Sequence, residues 1–211
     1  MIVNPTPTLL THLYWITLIA VIVSSASGVL KAGFKKFDLF GVIIIAVATG
    51  LGGGSLRDML LDREVFWIRD QMFFIASLGS AVIIFITARL MVISPRFFLV
   101  ADAAGLATFG IAGTLVSLMV GAPWLVASFM GVMTGTMGGI FRDVLSNEHP
   151  VVFQSPLYAT VSWAGSLLFI GLILLEMDVT YAAVLSGLSI FILRLLAIRY
   201  NLCLPKFRFK S

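Results

Sequence analysis

The sequence carries the segment Thr49-Gly50-Leu51-Gly52-Gly53-Gly54-Ser55-Leu56-Arg57-Asp58-Met59-Leu60 and repeats its frame as Thr134-Gly135-Thr136-Met137-Gly138-Gly139-Ile140-Phe141-Arg142-Asp143-Val144-Leu145. Thr49, Gly50, Gly53, Gly54, Arg57, Asp58 and Leu60 each recur 85 residues on, at Thr134, Gly135, Gly138, Gly139, Arg142, Asp143 and Leu145. A constant offset without a gap marks an internal repeat, and a repeat sets architecture before local propensity does. Each copy lies in a long apolar run and ends on an adjacent arginine and aspartate, charges that are costly in lipid.

Composition supplies the solvent. The 211 residues are 60% hydrophobic and 11% charged, against about 25% charged in a soluble domain, and the mean hydropathy is +1.08. The chain reads as an all-α polytopic membrane protein, since only helices and closed barrels satisfy the backbone in lipid. Its one cysteine, Cys203, excludes an internal disulfide and a cysteine metal site, and His12 and His149 read as interfacial. No cofactor, nucleic-acid partner or enzyme constellation is expected; the glycine pattern of the repeat follows a membrane-length helix and lacks a phosphate-loop lysine.

Seven spans follow from runs of about 20 apolar residues: 9–30, 39–61, 72–91, 97–120, 124–145, 157–175 and 179–198. Segments 62–70 and 147–156 read as loops, and 199–211 as a basic tail on the cytosolic side. The two motif copies lie three spans apart and so cross the membrane in opposite directions. Repeat one (about 9–91) and repeat two (about 97–175) are therefore inverted three-helix units, with an extra helix at about 179–198. With the N-terminus outside, Lys31, Lys35, Lys36, Arg89, Arg96, Arg199, Lys206, Arg208 and Lys210 fall on the cytoplasmic side, against Arg63 and Arg69 outside. The positive-inside rule thus orients the chain N-terminus out and C-terminus in.

All seven prolines lie in leads, loops or span ends, so any break within a span must come from glycine. Two readings of the glycines stand side by side. Breaks in spans 2 and 5, at Gly52–Gly54 and Gly138–Gly139, would turn helix-end carbonyls toward a pore beside the hydroxyls of Thr49 and Thr134, an oxygen-only setting for a transient monovalent cation. The same small-residue spacing also lets helices pack backbone to backbone with no pore. An arginine at a helix centre costs about 2.5 to 3.5 kcal/mol, which packing alone does not require. The candidate ion path comprises Thr49, Gly50, Gly52, Gly53, Gly54, Ser55, Arg57 and Asp58, their counterparts Thr134, Gly135, Gly138, Gly139, Arg142 and Asp143, and Asp102. Asp102 either lines the path or pairs with Arg96 or a neighbour near the inner surface; Arg194 reads as snorkelling inward.

With Asp38-Leu39-Phe40-Gly41, the run 49–58, Asp102-Ala103-Ala104-Gly105 and the run 134–143 in hand, the chain resembles the prokaryotic branch of the trimeric intracellular cation channel family, over about residues 9–200. The resemblance implies a 3+3+1 protomer, a homotrimer, membrane lipids as neighbours, and a path for potassium or sodium, chiefly potassium, near helices 2 and 5 of each protomer in a prokaryotic inner membrane. Related sequences also carry the label of a glycine transporter domain, so a secondary transporter of a small solute such as glycine is the alternative. The Lys-Glu-Val signature of the animal members is absent from the second span, so their regulation by lipid or calcium is not implied. The orientation is tested by single cysteines in a Cys203→Ser background: positions 36 and 206 should label from the cytosolic side and position 64 from the opposite side. Labelling of 36 and 64 from one side would end the inverted-repeat reading.

Overall fold

The computed structural model describes residues 3, 6–33, 35, 37–91, 94–154 and 157–203. Of the cations in the orientation count, Lys36, Lys206, Arg208 and Lys210 lie outside the described residues, as does the side chain of Arg96. The protein is all-α: α1 (Pro7–Gly33), α2 (Leu39–Leu60), α3 (Phe66–Arg69), α4 (Gln71–Leu90), α5 (Pro95–Met119), α6 (Trp124–Leu145), α7 (Val151–Gln154), α8 (Ala159–Leu174) and α9 (Val179–Tyr200). Six helices among the described residues are long and apolar enough to cross a membrane. The seventh expected span is α8, whose 16 residues rise only about 24 Å, short of a ~30 Å hydrocarbon core.

Helices α1, α2 and α4 form one half; α5, α6 and α8 form the other, and α9 packs on α5 and α8. The repeat reaches beyond the motif. The loops expected at 62–70 and 147–156 each hold a one-turn helix, α3 and α7, and these start and end at the same offset of 85. Asp62 and Asn147, also equivalent, both adopt left-handed backbone after the preceding helix, a usual way of ending a helix. Lys31, in the last turn of α1, and Lys35, which follows it, meet Glu148, which follows α6, at 3.7 and 2.6 Å. The hydrogen bond from Lys35, with the charges of both lysines, holds the Glu148 carboxyl below the usual carboxylate range. These contacts put the chain after span 1 and the chain after span 5 on one side, as inversion demands.

The two halves meet where α2 crosses α6. A Cβ added at Gly53 would overlap the Thr134 carbonyl oxygen, and one added at Gly138 would overlap the Thr49 carbonyl oxygen. Each contact is the image of the other under the repeat, so a pseudo-two-fold axis passes between the two antiparallel helices. Here the expected breaks do not occur. Helices α2 and α6 run unbroken through both glycine runs, because the glycines are used to bring two backbones together rather than to free carbonyls toward water. The packing alternative describes these residues. Serine and threonine stitch the outer helices on: Ser25 Oγ lies 2.9 Å from Ser77 Oγ between α1 and α4, and Thr114 Oγ1 donates to Ser166 Oγ at 3.0 Å between α5 and α8.

Overpacking at a closed contact costs about 1 to 3 kcal/mol. Gly53→Ala and Gly138→Ala should each lower the melting temperature of the purified protein. Gly79→Ala, at a position where a Cβ would meet nothing within 4 Å, should leave it level or raise it, since alanine gains up to about 1 kcal/mol over glycine in a helix. Equal melting temperatures for all three would deny the contact.

Candidate functional site

Each motif copy ends in the last turn of its helix, where the dipole favours a cation. Arg57 donates through Nε to Asp58 Oδ1 at 2.9 Å, and its Nη2 lies 2.8 Å from the same oxygen. Arg142 donates through Nε to Asp143 Oδ1 at 2.9 Å and through Nη2 to Asp143 Oδ2 at 3.2 Å. Adjacent residues point about 100° apart on a helix, yet the arginine side chain is long enough to curl across that angle. In both halves Oδ2 of the aspartate also reaches eight residues forward: Asp58 Oδ2 accepts from Phe66 N at 3.0 Å and Asp143 Oδ2 from Val151 N at 2.8 Å. The aspartates thus fix the starts of α3 and α7 while neutralising the arginines. All four charged side chains are buried. Removing one partner of such a pair typically costs about 3 to 5 kcal/mol.

The second copy has more. Arg142 Nη1 donates to Asp102 Oδ1 at 2.7 Å and to Ser27 Oγ at 3.2 Å, and its Cζ lies 4.7 Å from the centre of the Phe98 ring. Asp102 therefore pairs with Arg142, a neighbour on another helix. It also borders a cavity of about 10 Å³ with Ser24, Ser27, Thr49, Thr134 and Tyr158, room for about one water molecule. Arg194 does not snorkel. It is fully buried, with its guanidinium 4.4 Å from the centre of the Tyr158 ring, so the added helix α9 brings a second cation to the neighbourhood of Asp102.

The proposed path residues divide. Thr49, Asp102, Thr134, Gly135, Gly138, Gly139 and Arg142 come together around the small cavity, with Asp143 holding Arg142. Gly53 sits at the helix crossing and Gly50 against Ser25 and Val21. Gly52 lies under the Phe141 ring, Gly54 under the Phe66 ring, and Ser55 accepts from Trp67 Nε1 at 2.8 Å. With Arg57 and Asp58 they form the opposite end of the same helix pair. The threonine hydroxyls are spent locally: Thr49 donates to Ile45 O at 2.5 Å and Thr134 to Met130 O at 2.7 Å. That leaves their oxygens, not their protons, toward the cavity. Sequence reasoning missed Ser24, Ser27 and Tyr158. The serines had a signal, a cluster of small hydroxyls at 24, 25 and 27 inside an apolar span; Tyr158 had none.

Comparison with known proteins agrees with this geometry. A family model described as glycine transporter matches residues 14–89 and again 99–174, one match per half. The UPF0126 inner membrane protein YadS of Escherichia coli K12 is 35% identical over 197 residues, covering 92% of this chain and 95% of that one. A UPF0126 membrane protein of Vibrio cholerae is 38% identical over 198 residues, covering 92% and 82%. Among solved structures, the TRIC trimeric intracellular cation channel orthologue from Rhodobacter sphaeroides superposes with a TM-score of 0.87 at 32% identity, covering 91% of this chain and all of that one. A prokaryotic TRIC channel superposes at 0.83 with 29% identity, covering 90% and 98%. The chain therefore belongs to this family, the one whose model is called glycine transporter and whose solved members are trimeric intracellular cation channels.

Proposed function

We propose that the protein is a monovalent cation channel, chiefly for potassium, with one path through each protomer of a homotrimer. The path follows the crossing of α2 and α6 through the small cavity, and the chain sits in a prokaryotic inner membrane with its N-terminus outside. The observation that carries this reading is the composition of the cavity wall: both motif threonines, two serines and an aspartate paired with Arg142, buried between the inverted halves of the bundle. Buried ionisable groups inside a membrane bundle mark ion or solute paths by default, and oxygen ligands without a soft donor suit a hard monovalent cation. At about 10 Å³ the cavity passes no ion, so the conformation described is a closed one. The solved relatives named as cation channels support the same reading.

A second reading has one observation in its favour, the description of the family model as a glycine transporter. Inverted repeats serve a secondary transporter equally well. Reconstitution in a planar bilayer with potassium chloride alone separates the two. A channel gives unitary current steps that reverse near the potassium equilibrium potential, whereas a transporter gives none and takes up glycine slowly and saturably. Asp102→Asn removes the one carboxylate of the cavity wall and should move the reversal potential toward that of chloride. Unchanged steps and reversal in Asp102→Asn would put the path elsewhere.

A further inference from the structure

The offset of 85 relates the charged ends of the two halves, and at one place the correspondence fails. Arg142 Nη1 donates to Asp102 Oδ1, but the residue 85 positions before Asp102 is Thr17, and the one before Tyr158 is Phe73. Thr17 spends its hydroxyl on Leu13 O at 2.7 Å and makes no bond to Arg57. Both of Arg57's polar contacts go to one oxygen of Asp58, and its Cζ lies 5.7 Å from the centre of the Phe66 ring. Its Nη1, the atom equivalent to the one that holds Asp102, makes no hydrogen bond among the described residues, although the side chain is only 3% exposed. In place of the second half's small cavity, this end has one of about 300 Å³ against Arg57 and Thr17, walled by Tyr14, Phe73 and Val116. Arg63, Glu64, Arg69 and Asp70 line it from the loop and α3.

We propose that this cavity binds a small carboxylate, which takes against Arg57 Nη1 the place that Asp102 fills against Arg142. A guanidinium in an apolar setting gains most from a charge-assisted bond to a carboxylate, and the second half supplies the template for that bond with its own side chain. Arg57 is neutralised by Asp58 and Arg63 and Arg69 of the lining are matched by Glu64 and Asp70, so an anion is selected there by the open face of Arg57 and not by an excess of positive charge. The volume lies at the low end of ligand pockets, and aromatic and aliphatic walls suit a short organic acid better than a halide. The site is reached from the side of the membrane that carries residues 61–70. It does not rest on the channel reading, since binding is read without ion flux.

The test is calorimetric titration of the full chain in detergent, in a buffer whose only anion is a bulky sulfonate, with sodium acetate, glycine and sodium chloride as probes. Acetate is expected to bind saturably. Thr17→Asp installs the carboxylate of the other half; it should fold with an unchanged or higher melting temperature and bind acetate about ten- to hundredfold more weakly, the worth of one charge-assisted bond. Thr17→Asn should keep binding. Should Thr17→Asp fail to fold, Arg57→Lys decides, because lysine can still neutralise Asp58 but offers no second face, and acetate binding should fall by a similar factor. Glycine identifies the source: tighter binding than acetate, with the advantage lost in Glu64→Gln, means an amino acid, and equal binding means a simple carboxylate. No saturable acetate binding by the wild type, binding of chloride alone, or acetate binding untouched by both Thr17→Asp and Arg57→Lys would each overturn the site.

Discussion

The contact on which the rest of the structure depends is the one between two backbones, Gly53 against Thr134 and Gly138 against Thr49. Lipid gives no hydrophobic reason for two helices to associate, so association in a membrane comes from close packing and polar contacts. A glycine on each helix facing a carbonyl of the other allows the closest approach two helices can make. Because the contact maps onto itself under the repeat, it also fixes the axis about which the halves are inverted. Glycine costs each helix up to about 1 kcal/mol per residue in intrinsic propensity, but a helix in lipid has no alternative way to satisfy its backbone, so the propensity is overridden and both helices stay whole.

The charged ends follow from that axis. Inversion sends Arg57 and Arg142 to opposite ends of the α2 and α6 pair, each with its own aspartate, so neither end carries a net charge from the motif alone. What breaks the symmetry is outside the motif: Asp102 on α5 and Arg194 on α9, both buried near Tyr158. Asp102 adds a negative charge to one end and the extra helix adds a positive one. On this view α9 has an electrostatic role beside its packing role, since a second carboxylate at that end without a second cation would leave a net charge in a low-dielectric interior.

Much of this was legible in the sequence, and the part that was not has a physical cause. The offset of 85 located the inverted halves, the Arg-Asp pairs and, applied to the loops, would have located α3 and α7; those went unread because Phe66 to Arg69 and Val151 to Gln154 share no residue at equivalent positions, and the equivalence lies in the backbone. The glycine runs were legible as either break or contact, and pattern alone does not separate these, because both need the absence of a Cβ and differ only in what faces it. Asp102 was legible as one of two alternatives, and the structure pairs it with a neighbour, Arg142. Arg194 was misread because its position near the end of the last span suggests a route to water that α8 and Tyr158 close.

The two ends of the helix pair are also held with unequal strength, which bears on where a closed bundle opens. Arg142 binds Ser27 of α1, Asp102 of α5 and Asp143 of its own helix, so one guanidinium ties three helices together at that end. Arg57 is ion-paired with Asp58, its neighbour on α2, and its Cζ lies 5.7 Å from the centre of the Phe66 ring of α3; Asp58 in turn holds α3 rather than another spanning helix. Moving α2 against its neighbours at the Arg57 end therefore breaks no buried ion pair, whereas moving α6 at the Arg142 end breaks one between helices, at a cost of several kcal/mol. The Arg142 cluster is thus the more tightly tied of the two ends. The contact at Gly53 and Gly138 has no side chain that can rotate out of the way, so the two helices separate there only as whole bodies, and at the Arg142 end the separation of α6 from α5 first breaks the bond between Arg142 and Asp102.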